Sequence, residues 1–336
     1  MTVKRPTIKD IQRVTGLSLG CVSKCLNGGN VTEENRQKIE KAISELGYSV
    51  DEYARGMKTG KTKSVGVIVP AFSNLFYGTI ANLISSRLST KGYSISLYEH
   101  SESKEKEAQI INNLISRRFD AIIVVPACFD KENYQQYEDL NLIFFDSIID
   151  EINKPFVIVN NEEICIQVVD YLSKQGHKQI AGIFRNNYYT GEKRKSGFLK
   201  AINDLNIANK CDVFSFDGDV KDAYNIAKKI FESNKYSAVF ASDYISTLGA
   251  IFYFNERGIR VPDNISFVGF DNMMLTNLFK PNLSIVCQPL EEIADALVEQ
   301  TIGAIENKNF IPETKILNCK LIIGQSVKKI EREETL

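Results

Sequence analysis

Residues 7–27, TIKDIQRVTGLSLGCVSKCLN, decide how the whole chain is read. Ile8, Ile11 and Val14 recur at the spacing of one helical face, and Thr15-Gly16 ends that stripe. Ser18 is suited to cap a second helix, whose Val22, Cys25 and Leu26 face the same core. A third amphipathic helix follows. Thr32 caps it, Glu33 and Glu34 complement its dipole, and Ile39, Ala42, Ile43 and Leu46 form its apolar face. Gly47 stands where a C-cap glycine belongs. Two short helices joined by a tight glycine turn fit a helix-turn-helix, with residues 18–26 as the helix placed in the DNA major groove. The same spacing also fits any small three-helix bundle, and periodicity alone leaves both readings open.

Charge distribution favours the first reading. The formal net charge is −1, yet residues 1–63 hold 12 Lys and Arg against 7 Asp and Glu. A basic head on an acidic body suits a module that meets a phosphate backbone while the body stays off it. At 336 residues the chain has length for two or three domains, and 43% apolar and 25% charged residues are ordinary for a soluble globular protein. No run of about eighteen apolar residues occurs, and the N-terminus is polar and basic, so the expectation is a cytoplasmic protein with no membrane partner. Seven scattered cysteines without a CxxC pair and only two histidines argue against a metal site, a disulfide framework or a cofactor held by them. Cys25 reads as small apolar packing.

The run T-I-K-D-I-x-x-x-T-G-L-S-x-x-x-V-S-x-x-L-N, then V-T-x-x-N-R-x-K-I and L-G-Y, resembles the LacI/GalR family of bacterial transcription regulators, and the resemblance continues along almost the whole chain. It implies a DNA-reading head at 1–48 and a hinge helix and linker at 49–63. An effector-binding and dimerisation core would span 64–330, with a tail at 331–336. In the family the hinge helix docks in the minor groove, where an apolar side chain at the position of Met57 wedges between base pairs. Here S-V-D-E-Y-A-R-G-M has Val50 where proline is common and Met57 where leucine is usual. By motif position the resemblance assigns DNA contacts to Thr7, Lys9, Ser18, Leu19, Gly20, Cys21, Ser23, Lys24, Asn27, Ala54 and Met57. Leu19 and Gly20 occupy the usual base-reading sites, Cys21 replaces a common threonine, and Lys24 replaces arginine. A lysine offers point-charge donors instead of a bidentate fork, so guanine recognition is expected to be looser. Thr7, Ser18, Ser23 and Asn27 read as caps and phosphate contacts. For Thr7 and Ser18, capping alone explains the residue equally well.

From residue 64 short β-branched runs alternate with helical stretches. Strands are expected at 65–69, 94–98, 121–125, 142–145, 157–159, 180–184, 213–216, 238–241 and 266–270. Helices are expected at 76–91, 104–117, 133–139, 164–174, 194–205, 223–233 and 245–257. Continuous apolar strands alternating with helices indicate doubly wound parallel sheets, here two α/β lobes with a ligand cleft beyond the strand ends. The tail reads strand from 283, helix 291–306, strand 316–323. The resemblance adds that this tail crosses back, giving periplasmic-binding-protein-type lobes of 64–159 with 290–318 and 160–289 with 319–330. Neither G-x-G-x-x-G nor G-x-x-x-x-G-K-[ST] occurs, so a dinucleotide or NTP lacks its backbone cradle.

Candidate effector residues follow strand ends or begin helices. They are Asn74 and Phe76 in P-A-F-S-N-L-F-Y, Asp146, Arg194 in R-K-S-G-F (resembling the family's R-x-x-G-F) and Asp271 in V-G-F-D, with Ser242 and Asp243 as weaker candidates. Carboxylates with an arginine bind vicinal hydroxyls, and Phe76 offers a stacking face in a chain without tryptophan. Taken singly, Asp271 also reads as a helix cap and Arg194 as a surface ion pair. Paired carboxylates could serve a hydrolase, but neither histidine has a recognisable nucleophile partner, and His177 in Q-G-H-K-Q-I reads as structural. The sequence thus points to a non-enzymatic, homodimeric, ligand-responsive repressor of double-stranded palindromic operator DNA, with a sugar or sugar phosphate as effector. The alternatives are a nucleobase or nucleoside effector, a protein co-regulator, or a sugar-binding protein without DNA function.

Overall fold

The computed structural model describes residues 6–48, 61–271 and 279–330. Residues 1–62 and 63–336 form two compact units. Ala54 and Met57, with the expected hinge helix, lie outside the described residues.

The first unit holds α1 (Ile8–Thr15), α2 (Leu19–Leu26) and α3 (Glu33–Leu46). Asp10 ties down the start of α1 by accepting from the Thr7 backbone N–H at 2.9 Å and the Thr7 hydroxyl at 2.8 Å. Gly16 ends α1 at φ 68°, the left-handed conformation that lets the chain turn at once into α2. Ser18 Oγ caps α2 by accepting from the Cys21 N–H at 3.2 Å. The core is Ile11, Val22, Ile39 and Ala42, with Ile8, Leu17, Cys25, Leu26, Ile43 and Leu46 packed around it. Val14 departs from the sequence expectation, being 50% exposed. It lies in the last turn of α1, where the chain is already turning, and Leu17 supplies the apolar contact after Gly16.

The second unit contains two six-stranded sheets. The first has the order β11-β5-β4-β3-β1-β2 and is parallel throughout, from β1 (Ser64–Val69), β2 (Ser94–Glu99), β3 (Ala121–Val124), β4 (Leu142–Phe145), β5 (Phe156–Val159) and β11 (Thr314–Leu317). Helix α4 (Leu75–Thr90) and helix α11 (Leu290–Glu306) pack on one face. On the other lie α5 (Lys104–Ser116) and the short α6 (Glu132–Gln135). Strand β1 shows the physical reason: Val65, Val67 and Val69 face one layer and Ile68 the other, and all four are buried.

The second sheet has the order β12-β10-β9-β8-β6-β7. Its strands are β6 (Ile180–Arg185), β7 (Asp212–Phe216), β8 (Ala238–Ala241), β9 (Ser266–Phe270), β10 (Ser284–Cys287) and β12 (Lys320–Ile322), the last antiparallel to β10. Helices α7 (Asn161–Lys174) and α8 (Tyr189–Asp204) pack as one layer, α9 (Val220–Glu232) and α10 (Tyr244–Glu256) as another.

Three corrections concern elements. The expected strand 316–323 is two strands, one in each sheet. Asn318 and Lys320 interrupt its apolar residues at the crossover, but with Cys319 between them they read as the polar positions of one alternating strand. The expected helix 133–139 shrinks to Glu132–Gln135. Helix α8 starts at Tyr189, five residues before the expected start at Arg194, and its first turn, Tyr189-Thr190-Gly191-Glu192, carries too few apolar residues for periodicity to show it. The chain passes between the sheets after β5, after β10 and between β11 and β12. Asn160 binds two of these passages together, its N–H donating to Leu317 O at 3.0 Å and its Oδ1 accepting from the Cys319 N–H at 2.8 Å.

Candidate DNA-reading surface and ligand cleft

In the first unit, Thr7, Lys9, Ser18, Leu19, Gly20, Lys24 and Asn27 are exposed. Leu19 and Gly20 begin α2. Gly20 and Lys24 stand four residues apart, hence on one face. Cys21 and Ser23 are half-buried, and Cys21 Sγ lies 3.9 Å from Asn35 Nδ2 on α3. The Asn27 carboxamide turns back to Ser23 O at 2.7 Å, so it serves the end of α2. This surface offers an aliphatic group, a bare backbone position and a cation. If Lys24 reads a base edge, Lys24→Ala weakens the specific site by about 1–3 kcal/mol and relaxes preference at one operator position. Binding titrations against single-base operator variants check this. A uniform loss across all sequences would make Lys24 a phosphate contact instead.

The second unit opens a cleft of about 560 Å³ between its sheets. All seven effector candidates line it: Asn74, Phe76, Asp146, Arg194, Ser242, Asp243 and Asp271. Asp146 follows β4 and Asp271 follows β9, equivalent places in the two lobes. Both take positive φ, 60° and 82°. Each N–H is held by the next strand, Asp146 to Val157 O at 3.0 Å and Asp271 to Val286 O at 2.8 Å. Such a backbone costs on the order of 1–3 kcal/mol for a residue with a side chain and persists where the surroundings hold it.

Arg194 lies between them, 3% exposed. Its Nε donates to Asn161 Oδ1 at 2.7 Å, one Nη donates to Ser242 O at 2.8 Å, and the guanidinium lies 3.9 Å over the Phe270 ring. Gly197 makes that position accessible. A Cβ there would stand 2.2 Å from Glu162 O, so only glycine lets α8 come this close to α7 and bring Arg194 beside Asn161. Burial works against the arginine's charge, but Asp271 and Asp146 outweigh it and raise its pKa. Burial also pushes Asp146 up to about 7 against the pull of Arg194, and Asp271 adds to the rise. Asp271 is raised by burial too, with Arg194 and a bond from Gln288 Nε2 opposing. The Tyr77 hydroxyl donates to Asp146 Oδ2 at 3.1 Å and stays protonated, its pKa driven well up by burial.

Other candidates are already engaged in the fold. Asn74 Oδ1 caps α4 by accepting from the Phe76 N–H at 3.0 Å, and the Asp243 carboxylate caps α10 through the Ser246 N–H at 2.6 Å. The Phe76 ring is 7% exposed and packs on Tyr77 and Phe145, with centroids at 5.2 and 5.7 Å. That leaves little free face for stacking, contrary to the sequence expectation. His177 is fully buried between Ser237 Oγ at 2.9 Å and Lys328 O at 3.0 Å and does not line the cleft.

Residues 7–51 match the model of bacterial regulatory proteins of the lacI family, and residues 169–327 that of a periplasmic binding protein-like domain. Catabolite control protein A of Priestia megaterium is 29% identical over 96% of this chain and 99% of its own. The ribose operon repressor of Halalkalibacterium halodurans is 28% identical over 98% and 99%. The chain belongs to the LacI/GalR family. The lac repressor dimer bound to operator and the anti-inducer ONPF has the same fold, with TM-score 0.86 at 20% identity over 97% of this chain and 100% of that one. A periplasmic binding protein/LacI regulator from Alkaliphilus metalliredigens complexed with D-xylulofuranose is 27% identical, with TM-score 0.71 over 79% and 99%. This LacI/GalR member is accordingly a DNA-binding transcriptional regulator with a ligand-binding core, and not an enzyme. Among the described residues no helix is long and apolar enough to cross a membrane.

Several cleft residues of this LacI/GalR chain escape the motif reading, Tyr77, Glu102, Arg185, Tyr188 and Gln288, as does Asn161, which holds Arg194 from behind. The rule that singled out Asp146, a polar residue just past a strand, also finds Arg185 and Gln288, at the ends of β6 and β10. Arg185 Nη2 donates to Glu102 Oε1 at 2.7 Å, joining one lobe to the other.

Proposed function

We propose that this chain acts in the cytoplasm as a homodimeric repressor of a palindromic operator, answering to an uncharged, polyhydroxylated small molecule in the interlobe cleft. On this reading residues 1–48 are the head, 49–63 the hinge that places Ala54 and Met57 in the minor groove, and 64–330 the effector-binding core. The observation that carries the effector class is the charge of the cleft. Glu102, Asp146, Asp217, Asp219, Asp222, Asp243 and Asp271 line it against Arg185, Arg194 and Lys221. Arg185 is paired with Glu102, and Arg194 faces two carboxylates. A sugar phosphate would bring its dianion into an excess of negative charge, whereas a neutral sugar donates hydroxyl hydrogens to carboxylates and accepts from Arg194. Four buried atoms of lining residues, Arg185 Nε, Tyr188 Oη, Ser242 Oγ and Gln288 Oε1, have no hydrogen-bond partner among the described residues, as suits a ligand that both donates and accepts. The sugar complex of the 27% identical relative agrees with this class.

Thermal-shift screening of neutral sugars, sugar phosphates, nucleobases and nucleosides, with and without operator, tests the proposal. Stabilisation by neutral sugars alone is expected; a nucleobase or a phosphate as the sole hit would replace it. The Asp146 pKa adds a second expectation. Below about pH 7 the free protein holds a proton on Asp146 that a hydroxyl-donating ligand must displace. Affinity should then fall as pH drops from 8 to 6, by up to about tenfold per unit below the pKa. Asp146→Asn should bind more weakly and flatten the profile in calorimetry. A wild-type affinity independent of pH would remove Asp146 from ligand contact.

A further inference from the structure

The 560 Å³ cleft is not the whole of the space between the lobes. A second cavity of about 230 Å³ adjoins it, with Ala127 and Phe129 from one lobe and Asn186 and Asn187 from the other in its wall. Glu102, Tyr188 and Asp217 line both spaces and form the seam between them. At roughly 30 Å³ per water the smaller cavity is the share of about eight waters, room for one more ring-sized group.

Its wall carries one ion-paired carboxylate and one further carboxylate that is bonded to an amide. Glu102 is paired with Arg185, whose guanidinium also lies 4.5 Å over the Tyr188 ring. Asp217 Oδ1 accepts from Asn187 Nδ2 at 3.1 Å. His100, also in the wall, accepts the Glu102 N–H on Nδ1 at 3.0 Å, so its hydrogen sits on Nε2 and donates to Val125 O at 3.0 Å. Burial lowers its pKa and keeps it neutral. Beside these stand an aromatic side chain, Phe129, 38% exposed, the buried Tyr188 hydroxyl, which has no hydrogen-bond partner among the described residues, and the carboxamide of Asn186. An apolar face for C–H groups beside amide donors and acceptors is the surface that a further sugar ring requires.

We propose that the effector is an uncharged two-ring saccharide, with one ring among Asp146, Arg194 and Asp271 and the other in this smaller cavity, its linkage crossing the seam at Tyr188. This rests on reading the larger cleft as a polyhydroxyl site. A preference for two rings then follows from the cavity and not from the charged residues. Substitutions at Phe129 and Asn186 therefore act on the second ring alone.

Calorimetry on the full chain with glucose, galactose, cellobiose, maltose and lactose tests it, using wild type, Phe129→Ala, Asn186→Trp and Arg194→Ala. A disaccharide should bind at least about tenfold tighter than its component sugars. Phe129→Ala, which removes the aromatic face, and Asn186→Trp, which fills the cavity, should each erase that advantage while leaving monosaccharide affinity within about twofold. Arg194→Ala should abolish both classes. A monosaccharide that binds as tightly as any disaccharide, or a disaccharide indifferent to Phe129→Ala and Asn186→Trp, overturns the two-ring proposal and leaves the polyhydroxyl site standing. Binding of none of the five sugars, or binding that Arg194→Ala does not alter, overturns the polyhydroxyl reading and this proposal with it.

Discussion

Arg194→Ala is expected to abolish the effector response while operator affinity without effector stays within about threefold. The side chain is buried and held by Asn161 and the Ser242 carbonyl, so the guanidinium is already oriented when a ligand arrives. Truncating one partner of a buried, hydrogen-bonded charge pair costs about 2–5 kcal/mol, or between thirtyfold and several thousandfold in affinity. The substitution also removes the cation that opposes the rise of the Asp146 and Asp271 pKa values. Those carboxyls then take up protons more readily and accept hydroxyl hydrogens less well. Arg194→Lys should recover little, because an ammonium cannot bond Asn161 and Ser242 in a planar fork. Calorimetry with the identified effector and operator titrations with and without it provide the measurement. Undiminished effector binding by Arg194→Ala would refute the assignment.

Ile39→Ala gives the opposite dissociation. Ile39 is fully buried in a core whose other buried members are Ile11, Val22 and Ala42. Deleting a buried isoleucine to alanine costs about 2–5 kcal/mol. A unit of this size has only a few kcal/mol to lose, at roughly 0.05–0.15 kcal/mol per residue. The substitution should unfold much of the head at 37 °C and weaken operator binding by at least about a hundredfold. Effector binding, built wholly from residues of the second unit, should be unchanged. The two variants together separate reading from sensing. Operator affinity retained within threefold would mean that residues 7–48 do not form the DNA-reading unit.

The two kinds of site were legible to different degrees. The head is local: each cap lies within a turn of its partner and each core residue repeats at helical spacing within its own helix, so Ser18, Thr32, Gly16 and the Ile11-Val22-Ile39 core could be read from spacing. Only Val14 was misplaced, since periodicity does not register that α1 is about to end. In the second unit the alternation of strands and helices announced two parallel sheets. Residues past strand ends marked the cleft because parallel strands deliver their carboxyl ends to one edge.

Taken alone, the sequence determined the helix-turn-helix pattern, the two wound lobes and the residues that could meet a ligand. Only the tertiary structure decided which polar groups were left for that ligand. Asn74 and Asp243 proved to be caps, Phe76 proved to be core, and Gln288, Asn161 and Tyr77 joined Arg194 and the two aspartates from distant parts of the chain. It alone split the 314–322 run between the sheets and left a smaller cavity beside the larger cleft. The physical reason is that a side chain's chemistry is written in one residue, whereas its burial and its partners depend on neighbours tens to hundreds of residues away.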